Sequence, residues 1–115
     1  MSVQKVPKGL GPEGRRLWRL TLAALELEEH ELAMLRRACY VADRCEALQA
    51  VVDSEGLFAT NRLGEVKAHP AVVELRQQEL LLAKLLVVLR IPPSEEEQPR
   101  PQLRALRGVN TGGAG

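Results

Sequence analysis

The chain has 115 residues, enough for one domain with a single core and too few for a second independent one. Apolar residues make up 45% and aromatic residues only 3%. Leucine, valine and alanine must therefore pack the core, which favours helices over a β-sandwich or barrel. The net charge of +1 excludes a uniformly basic protein and leaves open how charge is distributed along the chain.

Residues 1–11 contain Lys5 and Lys8 but no apolar run of the kind a secretory signal needs, and they are predicted to form a flexible basic arm. Pro12 suits the first turn of a helix, because its missing N–H would be unpaired there in any residue. The first helix is predicted from Pro12 to about Leu25.

This first helix is predicted to be amphipathic, with Trp18 in the apolar stripe that faces the core. The basic side chains of the arm and of the opposite helix face are candidate contacts to duplex DNA: Lys5, Lys8, Arg15, Arg16 and Arg19. Clusters of this kind bind phosphate readily, and an oligomer would multiply them. The alternative is an ordinary solvated face that keeps the assembly soluble.

An acidic stretch at residues 26–31 is typical of the start of a second helix, because carboxylates there complement the helix dipole. From Leu32 to Val52, apolar residues recur at spacings of three and four, and Gly56 is a plausible stop. A helix of about 25 residues is about 38 Å long. One short partner helix cannot cover it.

A short β-hairpin is predicted over residues 57–68, because Asn61 to Gly64 offer turn chemistry between two apolar segments. His69 precedes a proline and is pushed out of helical geometry, so the third helix is predicted from Pro70 to about Ile91. The expected fold is mainly α: a basic N-terminal helix and a long antiparallel helical hairpin interrupted by the β-hairpin.

The third helix has almost no polar side between residues 80 and 89, and a helix that is apolar all round must be buried all round. The second helix can cover one side, so the other side predicts an obligate oligomer. The alternative is a monomer in which the first helix folds back to complete a three-helix bundle. The residues expected in the oligomer interface are Leu81, Leu82, Leu85, Leu86, Val88 and Leu89.

Residues 92–115 are rich in glutamate, proline, arginine and glycine, and they are predicted to be a disordered tail that follows a helical domain over residues 12–91. Three tail arginines are candidates for binding a partner protein or DNA, against an inert tail: Arg100, Arg104 and Arg107. On the second and third helices, the charged residues Asp43, Arg44, Glu74 and Arg76 are spaced to allow ion pairs between helices or subunits, whose role would be to set the register of the assembly.

The sequence contains no phosphate-binding GxxxxGK[ST] loop, and His30 and His69 lie too far apart to suggest a metal site. Neither a nucleophile with a nearby base nor a cofactor motif is present, so no enzyme, metal or cofactor is expected. Cys39 and Cys45 are predicted to be reduced, half-buried thiols that cannot bridge each other. No apolar run reaches the ~20 residues that cross a bilayer, so a soluble intracellular protein is expected.

With these elements in place, an ordered set of short motifs resembles the small subunit of phage terminases over about residues 9–92. The motifs are Gly11-Pro12-Glu13-Gly14-Arg15-Arg16-Leu17-Trp18, Glu31-Leu32-Ala33-Met34-Leu35, Ala38-Cys39, Ala42-Asp43-Arg44, Gly56, Gly64, His69-Pro70, Glu74-Leu75-Arg76-Gln77-Gln78 and Leu85-Leu86-Val87-Val88-Leu89-Arg90. Each is a common helical sequence, and their order and spacing together carry the resemblance.

The resemblance implies a non-catalytic protein of a tailed phage in the host cytoplasm, which forms a homo-oligomeric ring, binds viral double-stranded DNA and regulates the large terminase subunit during genome packaging. The chain has no obvious helix-turn-helix domain, which leaves specific site recognition open. The first alternative is a helical adaptor or scaffold without nucleic-acid binding. The third class is a small transcriptional regulator, which would need a recognition helix and a dimer.

Overall fold

The structure is a computed structural model and describes residues 4–91. The elements in chain order are α1 (Pro12–Ala24), α2 (Glu29–Glu55), β1 (Phe58–Thr60), β2 (Val66–Ala68) and α3 (Pro70–Val88). The prediction of a mainly helical chain with a short β-hairpin between two long helices is confirmed. Ring assembly stays a prediction. The predicted disordered tail, with Arg100, Arg104 and Arg107, lies outside the described residues.

Local sequence signals begin the first two helices and end the second. Pro12 is the first residue of α1, directly after Gly11. At the start of α2 the side chain of Glu31 turns back, and its Oε1 accepts a hydrogen bond from the backbone N–H of Glu28 at 2.8 Å. The helix ends at Glu55 and is followed by Gly56, whose φ of 90° is a conformation that residues with a side chain rarely adopt.

The two strands pair in antiparallel register, with Phe58 opposite Ala68 and Thr60 opposite Val66. Asn61 shapes the turn between them, because its Oδ1 accepts backbone hydrogen bonds at 2.9 and 3.0 Å from the two residues Leu63 and Glu65. This hairpin brings the chain from the end of α2 to the start of α3.

The first turn of α3 is capped by His69, whose Nδ1 accepts the backbone N–H of Ala71 at 3.0 Å. Nε2 therefore carries the ring proton of the neutral histidine and donates it to Glu55 Oε1 at 2.6 Å. The prediction that His69 is a helix-start residue is confirmed. The predicted end near Ile91 is wrong by three residues, because Arg90 has a φ of 62° and the N–H of Ile91 bonds the carbonyl of Leu86.

Helix α2 is the central element, and both α1 and α3 pack against it in antiparallel directions. Near the start of α2 a buried cluster joins all three helices through Leu10, Trp18, Leu32, Leu35, Cys39 and Leu89. At its other end Val52 packs against Ala71 and Leu75. The prediction that Trp18 faces the core is confirmed, since only 4% of its surface is exposed.

Candidate functional site

The start of α1 is bound to α2 through one carboxylate. Asp43 Oδ2 accepts the backbone N–H of Gly11 at 2.6 Å, and its Oδ1 accepts that of Gly14 at 2.8 Å. These N–H groups have no partner within α1, and a negative charge at this end is favoured by the helix dipole. Asp43 therefore caps α1 from another helix, and within the described chain its carboxylate binds backbone N–H groups of α1 rather than a cation on α3.

Gly14 is required at this contact by lack of space. A Cβ at this position would lie 2.5 Å from Asp43 Oδ2 and 2.7 Å from the carbonyl oxygen of Cys39. Heavy atoms do not approach so closely without displacement of the backbone. The glycine thus lets α1 pack directly on α2, which sets the direction in which the arginines of α1 project.

The N-terminal arm, predicted to be flexible, is in contact with the helices where the structure describes it. The Tyr40 hydroxyl donates to the carbonyl oxygen of Lys8 at 2.6 Å, and Leu10 is buried in the core. Closer to the N-terminus, Gln4 and Val6 lie beside α1 and the loop that follows it. The arm therefore runs back along α1.

All five candidate DNA-contacting residues are exposed: Lys5, Lys8, Arg15, Arg16 and Arg19. Arg15 donates to the carbonyl oxygen of Leu10, and Arg16 lies 3.5 Å from Glu13 in an exposed ion pair that is worth about 1 kcal/mol or less. Arg19 lines the same cavity as Gln4 and Val6, which flank Lys5 in the sequence. The structure thus gathers the predicted basic residues along α1 and the arm that accompanies it.

A groove of about 770 Å³, the α1–α2 groove, lies where the chain passes from α1 to α2. Its lining is mainly apolar and comes from Trp18, Leu22, Leu25, Leu27 and Leu32. The charged side chains that also line it are Arg19, Glu26 and Glu28. Reasoning from the sequence missed this groove, because no local signal shows how a turn between two helices is filled.

The outer side of α3 carries a row of apolar side chains that the described residues leave exposed. Val73, Leu80 and Val87 recur every seven residues and are 37%, 61% and 75% exposed. A spacing of seven places them along one line of the helix, and the exposed Leu81 and Val88 lie beside it. Helix α1 packs on α2 and leaves this side of α3 uncovered. The alternative of a complete three-helix monomer requires α1 to cover it.

The predicted interface residues divide according to these two sides of α3. Leu81 and Val88 are exposed, whereas Leu82, Leu85 and Leu86 are half-buried. Leu89 is fully buried within the chain and lies outside any exposed surface. The prediction omitted three exposed residues, Val73, Leu80 and Val87, although their seven-residue spacing is visible in the sequence.

The β-hairpin adds a second exposed apolar surface at the opposite end of α2. Phe58 and Val66 are both 66% exposed and point to the same side of the two-stranded sheet. Leu63, at the turn, is 84% exposed. An isolated two-stranded hairpin is marginal in water, so a partner that covers this side would stabilise it.

An ion pair joins the end of α3 to the start of α2. Arg90 Nη2 lies 3.4 Å from Glu31 Oε2, and the other oxygen of Glu31 accepts the Glu28 N–H. The hydrogen bond from Glu28 lowers the pKa of the Glu31 carboxyl below its ordinary value of 4.5, and the positive charge of Arg90 acts in the same direction.

Both cysteines are free thiols. Cys39 is fully buried, which corrects the prediction of a half-buried side chain, and Cys45 is half-buried as predicted. Burial, with the nearby charge of Asp43, raises the pKa of the Cys39 thiol to about 12. Burial, with the charges of Glu79 and Glu46, also raises that of Cys45. Thiols of this kind are poor nucleophiles at neutral pH.

Between residues 4 and 91, no group of three or more histidine, cysteine or acidic side chains could hold a metal ion. Within the same residues, no helix is long and apolar enough to cross a membrane. No family model, curated protein or solved structure matches the chain.

Proposed function

We propose that this chain is the small terminase subunit of a tailed double-stranded DNA phage. In this role it is a non-catalytic oligomer that binds viral DNA and regulates the ATPase and nuclease of the large terminase subunit during genome packaging in the host cytoplasm. The proposal starts from the sequence resemblance over residues 9–92. It is supported by two surfaces that a packaging regulator of this kind would use.

The observation that carries the proposal is the exposed apolar side of α3. Complete burial of one valine or leucine side chain contributes roughly 1.5–3 kcal/mol. Five exposed side chains of this size on one helix therefore favour association of several copies: Val73, Leu80, Leu81, Val87 and Val88. The exposed hairpin residues Phe58 and Val66 offer a second apolar surface for a contact between copies.

The exposed basic residues of α1 and the arm support the DNA-binding part. Arg15, Arg16 and Arg19 project from a helix whose direction is set by Asp43 and Gly14. Their exposed positions suit contacts to the phosphate backbone, which position a protein without reading sequence. In a ring, each copy would contribute one such patch and the binding energies would accumulate.

The test is a measurement of assembly and of packaging activity on the same protein. Multi-angle light scattering at micromolar concentration is expected to give a mass several times the 12.7 kDa of one chain. Added to the large terminase subunit of the same phage, the oligomer is expected to change its DNA-dependent ATPase rate. The mass of a single chain would contradict the proposed oligomer. An oligomer that neither changes the ATPase rate nor binds DNA would favour the alternative of a helical adaptor.

A further inference from the structure

The described chain ends against the buried cluster that contributes Trp18 and Leu32 to the α1–α2 groove. Ile91 packs against the buried cluster to which Trp18 and Leu32 belong, and both of these residues line the groove. The preceding residue, Arg90, pairs with Glu31, which in turn bonds the backbone of Glu28 at the groove. The chain therefore continues from a point beside the groove.

The residues that follow have a composition that suits this groove. The segment 100–107 has two leucines, Leu103 and Leu106, three residues apart, the spacing that puts two side chains on one side of a helical turn. Its three arginines are opposite in charge to Glu26 and Glu28. The groove thus offers an apolar surface for the leucines and carboxylates for the arginines.

The connecting chain is long enough for this segment to reach the whole groove. Leu103 is twelve positions after Ile91 in the sequence, and an extended chain over twelve steps spans up to about 40 Å. The 13 residues of α1 form a helix only about 20 Å long. A segment tethered so closely binds at an effective concentration of about a millimolar, which a free partner must exceed.

We propose that residues 100–107 of the same chain bind in the α1–α2 groove. Leu103 and Leu106 contact its apolar lining, while Arg104 and Arg107 lie against Glu26 and Glu28. The binding covers part of the apolar surface near Trp18 and places the tail arginines beside α1. This inference does not depend on the packaging function, and its test uses the full chain without DNA or a second protein.

A disulfide cross-link tests the contact directly. In a Cys45→Ser background, Ala23→Cys places a thiol at the groove, where Ala23 is exposed, and Ala105→Cys places one between the two leucines. Cys39 stays in place because it is fully buried. Mild oxidation is expected to give an intrachain cross-link, seen as a faster-migrating single-chain band on a non-reducing denaturing gel.

The matched control pairs Ala105→Cys with Ala83→Cys, an exposed position on α3. It reports whether the tail lies on the apolar side of that helix instead. The groove pair is expected to cross-link several-fold faster than this control. Equal rates, or faster cross-linking to position 83, would overturn the proposal, as would a cross-link that appears only in two-chain bands and assigns the groove to another copy.

Two further sets of variants test the chemistry of the contact. Leu103→Glu together with Leu106→Glu is expected to reduce cross-linking of the groove pair to the control rate, and persistence of the fast cross-link would contradict the apolar contact. Glu26→Arg is expected to slow cross-linking, and Arg104→Glu in the same chain to restore it. Absence of this rescue would overturn the ionic part of the contact.

Discussion

Gly14 and Asp43 are 29 residues apart in the sequence, yet the Gly14 N–H donates to Asp43 Oδ1 at 2.8 Å. The contact leaves no room for a Cβ on residue 14. A carboxylate on α2 therefore both completes the hydrogen bonds at the start of α1 and sets how closely the two helices approach. The direction of the basic helix depends on this pair.

Replacing Asp43 with alanine is expected to lower the free energy of unfolding by about 2 kcal/mol, because two N–H groups at the start of α1 lose a charged acceptor. Trp18, the only tryptophan, should show red-shifted emission in the variant as α1 loosens. Urea unfolding at one fixed protein concentration measures the loss. Asp53→Ala on the same helix is the control, since Asp53 is exposed and should change stability by less than about 0.5 kcal/mol.

Gly14→Ala is expected to destabilise the protein by about 2 kcal/mol, although alanine favours helix by about 1 kcal/mol over glycine. The added methyl group must displace both the Asp43 side chain and the backbone at Cys39, since it would lie 2.5 Å and 2.7 Å from them. Urea unfolding of both single variants and the double variant forms a cycle. Because Gly14→Ala already displaces Asp43, the cost of adding Asp43→Ala should be smaller than in the wild type, and strict additivity would show that the two residues do not interact.

The contribution of Glu31 to stability should depend on pH. Its pKa is lowered in the folded chain by the Glu28 N–H and then by Arg90, so the stabilisation is complete above the ordinary value of 4.5. It is lost as the pH falls through the lower, folded-state pKa. The difference in unfolding free energy between wild type and Glu31→Gln should therefore shrink below pH 4.5. Glu29→Gln, an exposed neighbour in the same turn, is the control, and an equal pH dependence in both variants would refute the assignment.

Reversing the charge of Arg15, Arg16 and Arg19 to glutamate is expected to weaken binding to duplex DNA while the oligomer persists. Each lost phosphate contact should lower the slope of log K against log salt concentration by about one. Fluorescence anisotropy over a salt series measures both quantities. The control reverses three exposed cations elsewhere, Arg62, Lys67 and Arg76. If both variants bind equally well, the basic cluster serves solvation only and the adaptor without nucleic-acid binding is favoured.

The exposed side of α3 is tested by introducing charge where another copy would pack. Leu80→Glu with Val87→Glu should reduce the mass measured by light scattering toward that of one chain, because burying each carboxylate without a partner costs several kcal/mol. Far-ultraviolet circular dichroism should be unchanged, since both side chains are more than half exposed. Ala47→Glu with Ala50→Glu makes the same charge change on exposed positions of α2. A lower measured mass in both variants would indicate general charge repulsion between copies rather than an interface on the exposed side of α3.

Most of the secondary structure could be predicted because its signals are local. Pro12 begins α1, Asn61 builds the turn of the hairpin, and His69 before a proline begins α3. The predicted end of α3 is three residues too late, because Arg90 adopts a left-handed backbone conformation that residues other than glycine rarely adopt. The exposure of the basic residues followed from the amphipathic pattern of α1.

The sequence by itself determined the order and type of the elements and the apolar excess of α3, because these depend on residues close together in the chain. Only the tertiary structure decided that Asp43 caps α1, that Leu89 is buried while Val87 is exposed, and that a groove opens where α1 turns into α2. Those features depend on contacts between residues far apart in the sequence. A helix that is apolar all round does not reveal which side its own chain will cover.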